Sequence, residues 1–222
     1  MWCIPKLTDE FKERMEDLLN LYARPFNKKE PVVCFDEKSK QLLADSRTGK
    51  GVMPGKIAIR DYEYVREGTA NIFVAIEPKA GKRLTEVTRR RTKQDYAIFI
   101  KNLVEKYPHA KTIHLVQDNL NTHNEGSLIV AFGKRRTKQI MRRIKFHPTP
   151  KHASWLNMAE IEIGILSRQC LKRRISTHKK LQREVMAWER QSNKAKRIIT
   201  WKFTTKKAKK VFPSLYKIKF KE

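Results

Sequence analysis

A chain of 222 residues, 40% hydrophobic and 33% charged, with eight Gly and nine Pro, carries enough apolar material for one substantial core. That composition excludes a disordered or low-complexity chain. Fifty Lys plus Arg against 23 Asp plus Glu leave a formal charge of +27, which calls for a polyanionic partner, nucleic acid first among them. No apolar run reaches the length of a membrane span, and no signal peptide is visible. Cys3, Cys34 and Cys170 are odd in number and lack Cys-x-x-Cys spacing, so reduced thiols and a cytoplasmic location are expected.

Phe11, Met15, Leu18, Leu19 and Tyr22 recur at helical spacing and predict a helix over Thr8 to Arg24, capped by Thr8 and ended by Pro25. Pro31 to Phe35 is a short apolar, β-branched run that stops at Asp36, as expected of a strand buried on both faces. Gln41 to Ala44 reads as its hairpin partner, and Arg47 to Lys56, with three Gly and one Pro, as a loop. Strands are predicted over Asn71 to Ile76 and Arg83 to Thr88. From Thr92, apolar residues Tyr96, Phe99, Ile100, Leu103 and Val104 switch to helical period. Thr112 to Gln117 is a second buried strand that again ends on an acid, Asp118. A short helix over Ser127 to Phe132, a last strand around Ile144 and Phe146, and a Ser154-capped helix to about Cys170 follow. A further helix spans Lys179 to Ser192, and the basic tail beyond Lys194 carries the apolar anchors Trp201, Phe203, Val211, Phe212, Leu215 and Tyr216. Strands first, then alternating helix and strand, then helices imply one α/β domain with a mixed sheet.

Two strand-end aspartates are the chemical signal. Ligands of open α/β sheets gather at the carboxyl ends of strands. If the two strands are neighbours, Asp36 and Asp118 repel each other unless a cation lies between them. A hard divalent ion with oxygen ligands meets that need. Each aspartate alone favours a simple turn; the pair favours a metal site. A third ligand falls on the helix after Ser154, where Glu160 and Glu162 lie on different faces. Glu160 shares a polar stripe with Asn157 and Gly164, so helical geometry slightly favours it, while spacing leaves both open.

Three blocks carry a family resemblance. Cys34-Phe35-Asp36-Glu37-Lys38, Val116-Gln117-Asp118-Asn119 through Thr122-His123, and Thr149-Pro150-Lys151-His152-Ala153-Ser154-Trp155-Leu156-Asn157-Met158-Ala159-Glu160 resemble the catalytic blocks of bacterial insertion-sequence transposases. The specific group is the six-thirty family, related to the mariner elements. Asp61-Tyr62-Glu63-Tyr64, Gly68-Thr69-Ala70-Asn71 and Trp201-Lys202-Phe203-Thr204 extend the likeness over nearly the whole chain.

The resemblance implies a ribonuclease H-like fold: a mixed five-stranded sheet flanked by helices, with a helical and basic C-terminal extension. It implies a catalytic and metal-binding triad of Asp36, Asp118 and Glu160, Glu160 being the acid three residues after Asn157. Two Mg2+ ions, with Mn2+ as a substitute, would serve cleavage and strand transfer of DNA. The expected partners are element ends and target DNA, a second copy of the chain on that DNA, and a separately encoded N-terminal helix-turn-helix half. That last expectation arises because only one helix precedes Asp36. The implied setting is the bacterial nucleoid. Residues 1–30 are expected to form an N-terminal helix and linker, 31–172 the catalytic domain, and 173–222 a helix and basic tail packed on it. Arg89, Arg90, Arg91, Lys134, Arg135, Arg136, Lys151 and His152 are candidate phosphate contacts. Trp155 suits either base stacking or the core, and His123 either DNA or packing. A ribonuclease H-like nuclease without strand transfer, and an inactive basic DNA-binding remnant, are the competing expectations.

Overall fold

The computed structural model describes residues 7–49, 51–59, 61–118 and 125–216. Five strands form one mixed sheet in the order β3-β2-β1-β4-β5: β1 Val32–Asp45, β2 Tyr64–Glu77, β3 Lys82–Thr88, β4 Ile113–Gln117 and β5 Ile144–Pro148. The first three run as an antiparallel meander, and β4 and β5 join parallel to β1. Among the described residues, six α-helices flank the sheet or pack on its helices: α1 Asp9–Ala23, α2 Lys93–Lys106, α3 Glu125–Met141, α4 Met158–Gln169, α5 His178–Lys194 and α6 Thr205–Val211.

Side-chain alternation divides the core between two faces. On one, Phe35 of β1 and Phe73 of β2 meet Tyr96 and Phe99 of α2, with ring centroids 5.2–5.8 Å apart. Helix α3 adds Leu128 and Ile140 to this cluster. On the other face, Cys34, Ile76 and Val116 pack against α1 and the start of α4, while Ile72 and Val74 pack with residues of α4 and α5. The segment from Trp201 to Tyr216, including α6, closes over α1 on the same side.

Several elements depart from the sequence expectations. Gln41 to Ala44 is not a hairpin partner but the continuation of β1, which runs nine residues beyond Asp36 and pairs with a β2 that begins at Tyr64. The alternation of Lys38, Lys40 and Leu42 had no turn to interrupt it. The predicted short helix is only the start of α3, which extends to Met141 across a break at Gly133, where φ is 72° and ψ is 166°. Ser154 opens a 3-10 turn, and α4 starts later, capped by Asn157. Thr8 caps its helix as expected, and Thr92 caps α2 within a reciprocal box with Asp95. Cys34 and Cys170 are free and buried; Cys3 and His123 lie outside the described residues. Among the described residues, no helix is long and apolar enough to cross a membrane.

The turn between β2 and β3 depends on Gly81, whose φ is 64°. A Cβ there would lie 2.6 Å from the Lys196 carbonyl carbon and 2.7 Å from its oxygen. Gly81→Ala should therefore lower stability by roughly 2–3 kcal/mol, combining left-handed strain with displacement of the 195–197 segment. Urea unfolding checks this: an unchanged midpoint would mean that the segment moves without cost.

Candidate active site

The parallel pairing of β1 with β4 aligns Val32 with His114, Val33 with Leu115 and Cys34 with Val116. Two residues further along each strand come Asp36 and Asp118, at matching positions. With the alternation kept, both follow Cys34 and Val116 onto the face that carries α1 and α4. Asp36 lies within β1 rather than at its end; what ends beside it is the parallel contact with β4.

Helix α4 delivers Glu160 to this place, and Asn157 fixes how. Its Oδ1 accepts from the Ala159 amide at 3.1 Å, which caps the helix. Its Nδ2 donates to the Phe35 carbonyl at 2.8 Å, one residue before Asp36. One buried side chain thus starts α4 and ties it to β1. The sequence signal was present, because an Asn three residues before Glu160 is a good cap, but Ser154 competes for that role. Tyr22 adds a second tie, donating to the Leu156 carbonyl at 2.8 Å and standing 3.7 Å from Cys34 Sγ.

Burial separates the two helical acids. Glu160 is exposed at the first turn of α4, whereas Glu162 is fully buried and ion-paired with Arg83 at 2.7 Å. Glu162 has no access to a reacting group.

Electrostatics ties Asp36 to both other acids. Burial pushes its carboxyl up to about 7; the Glu37 amide, donating at 2.7 Å, opposes this, and the charges of Glu160, Asp118 and Glu37 raise it further. Asp36 on β1 therefore senses a carboxylate at the end of β4 and another on α4. Among the described residues, no three His, Cys, Asp or Glu side chains stand close enough to grip one ion as placed. The donor chemistry nevertheless fits a hard cation: oxygen ligands, like charges and a carboxyl reluctant to ionise alone.

The basic candidates fall in three places. Arg89, Arg90 and Arg91 are exposed between β3 and α2, and Arg91 pairs with Glu37 at 2.6 Å, next to Asp36. Lys151 and His152 are exposed just after Thr149, whose amide donates to the Gln117 carbonyl at 2.9 Å, beside Asp118. His152 holds a φ of 60°. Lys134, Arg135 and Arg136 are exposed on α3, which packs on the sheet face opposite α4. Trp155 is half exposed and edge-on to Phe203 at 5.3 Å, so it belongs to an aromatic cluster with Phe203 and Phe212. Sequence reading missed Tyr96, whose hydroxyl donates to Gln117 Oε1 at 2.8 Å and steadies the residue before Asp118. Its position in a helical apolar stripe marked it as core alone.

A family profile described as DDE superfamily endonuclease matches residues 31–182, a span that includes all three acids. The chain belongs to the DDE superfamily endonucleases. Among solved structures, it is similar to the Mos1 mariner paired-end complex with Mn at 17% identity and a TM-score of 0.57, covering 89% of this chain and 60% of that one. The Mos1 paired-end complex with Mg gives 18% identity and 0.59, covering 98% and 66%. The Mos1 strand transfer complex gives 16% and 0.55, covering 86% and 57%. At such identities the likeness is one of fold: the five-stranded mixed sheet flanked by helices is the ribonuclease H-like arrangement. The chain spans less than two thirds of the length of these Mos1 chains. No curated protein matches the chain in sequence.

The raised carboxyl of Asp36 has a consequence for stability. In the unfolded chain it ionises near 3.8, in the native protein near 7. Between those values the native state holds a proton that the unfolded state has lost, so this group's contribution falls as pH rises and levels off above about 7. Asp36→Asn removes the effect. It should raise unfolding free energy at pH 8, without added metal, by on the order of 4 kcal/mol at most, and by little at pH 4. Denaturant titration at the two pH values checks this, and equal effects at both would contradict it.

Proposed function

We propose that the chain is the catalytic part of a bacterial insertion-sequence transposase of the six-thirty family, cutting and joining DNA strands with Asp36, Asp118 and Glu160. The observation that carries this reading is the electrostatic convergence of three acids from separate elements onto one end of the parallel strand pair. The catalytic unit is assigned to residues 31–172, with residues 1–30 and 173–222 as its N-terminal and C-terminal additions.

The triad would hold two Mg2+ ions, with Mn2+ able to substitute. When bound, such ions stabilise charge on the attacking and leaving oxygens of an in-line displacement at phosphorus. The chain's own contribution is placement. The sheet fixes Asp36 and Asp118 side by side, Asn157 fixes the start of α4 against β1, and Glu160 reaches the pair from that helix. The reaction then needs no covalent protein intermediate, since orientation and charge neutralisation carry it. Arg91 and Lys151, at the same end of the sheet, are suited to the phosphates that flank the reacting one. A second copy on the paired DNA ends, and helix-turn-helix modules that read those ends, belong to the same proposal.

Supercoiled plasmid incubated with Mg2+ or Mn2+ should be nicked by the wild-type chain. Asp36→Asn, Asp118→Asn and Glu160→Ala should each lose at least about 100-fold in rate, as expected when a charge-stabilising group is removed. With pre-cleaved ends, joined products support strand transfer, whereas hydrolysis with no joining would favour a simple nuclease. Cleavage unaffected by all three changes would refute the triad.

DNA affinity should also fall steeply with salt, roughly 10³-fold between 50 and 200 mM if six or more phosphates are engaged. Neutralising Arg89, Arg90 and Arg91 together should reduce the slope of log affinity against log salt by about 2–3. Fluorescence anisotropy measures both, and an unchanged slope would remove this cluster from the DNA path.

A further inference from the structure

Glu162 is a carboxylate that the proposed chemistry leaves unused, buried two residues from Glu160. Its partner Arg83, on β3, is almost equally sequestered, with side-chain exposures of 1% and 0% for Arg83 and Glu162. The guanidinium meets the carboxylate as a fork, Nε to Oε1 at 2.7 Å and Nη2 to Oε2 at 3.1 Å. Its other donations go to the Gly81 carbonyl at 2.7 Å and the Arg197 carbonyl at 2.8 Å. Asn193 of α5 grips the Arg83 backbone from both sides, accepting from its amide at 2.7 Å and donating to its carbonyl at 3.0 Å.

Stability is a weak reason for such a pair. Taking two charges out of water costs about as much as their attraction returns, and apolar replacements of similar volume are often as stable. What a bidentate fork supplies is a fixed distance and a fixed rotation. Residues 160 and 162 lie about 200° apart around the helix, so a grip on one sets the direction of the other. A 20° roll of α4 would carry the Glu160 carboxylate, ~5–6 Å from the axis, sideways by about 2 Å. Asn157 and Tyr22 both tie the helix at one point, its N-terminal end, and the apolar packing of Ile163 and Leu166 further along lacks the directionality of a hydrogen bond. Arg83 supplies the second point, held in turn by α5 and the segment around Arg197.

We propose that Arg83 is a positioning residue for Glu160, acting through Glu162 to set the roll of α4. The proposal rests on the reading of Glu160 as a metal ligand. Mn2+ binding to the whole chain, followed by the electron paramagnetic resonance of the free ion, provides a readout independent of cleavage. Glu160→Ala alone should weaken Mn2+ binding. The double variant Arg83→Met with Glu162→Met should fold with a melting temperature near wild type, yet bind Mn2+ about tenfold more weakly. In that background Glu160→Ala should weaken binding further by much less than it does in the wild type, because the two changes act through one group. Arg83→Lys keeps the charge without the fork and should fall between; it serves as the test if the double variant does not fold. Wild-type Mn2+ affinity in a folded pair variant would overturn the positioning role alone. Unchanged binding in Glu160→Ala would overturn the metal reading, and the positioning proposal with it.

Discussion

The burial of the Asp36 carboxyl beside the charges of Glu160, Asp118 and Glu37 is the constraint around which this molecule is arranged. Asp36 and Asp118 occupy matching positions beyond the last parallel pair of β1 and β4, and the charge of Glu160 on α4 is felt at Asp36. Left to itself, such a cluster would separate or take up protons. It is held because each acid sits on an element anchored elsewhere. Phe35, beside Asp36, is locked among Phe73, Tyr96 and Phe99. Gln117, beside Asp118, accepts from Tyr96. Asn157 binds α4 to the Phe35 carbonyl. The apolar face under α2 thus steadies the aspartates, and the opposite face brings the glutamate.

Net charge gives this cluster its context. A formal +27 produces a field that favours ionised carboxylates and attracts polyanions over long range. Yet Asp36 is still pushed up to about 7, because burial and its acidic neighbours act at short range. The local term wins over the distant one, as it does wherever low dielectric and contact distance coincide. Positive charge attracts polyanions at long range; it does not bring the Asp36 carboxyl back to its ordinary range.

Much of this could be read from residue order. Two buried runs followed by acids marked both strands, whose adjacency was a condition that the parallel pairing of β1 with β4 meets, and the cap Thr8 was legible from local chemistry. What escaped the sequence had no local signature. The continuation of β1 past Asp36 depends on pairing with β2, some thirty residues away in the chain, which no window of β1 reveals. Glu160 and Glu162 differ in exposure, and the buried one is paired with Arg83 on β3, far away in the chain. Helical phase separated their faces but could not say which face met the sheet. Tyr96 belongs to an apolar stripe by period, and only its hydroxyl contact with Gln117 gives it a place near the site.

The same distinction explains why the C-terminal region bears on a site it does not line. Its composition suggests a solvated basic tail, and many of its Lys side chains are exposed. Its backbone, however, is built into the scaffold. The Arg197 carbonyl accepts from Arg83, the Ile199 amide donates to the Pro78 carbonyl, and the close passage at Lys196 requires Gly81. The links run from this segment to Arg83, from Arg83 to Glu162, and along α4 to Glu160. Charge on the surface and geometry in the backbone are thus separate properties of one stretch of chain. The first suits it to a polyanion, and the second ties it through Arg83 to Glu162 on a different helix.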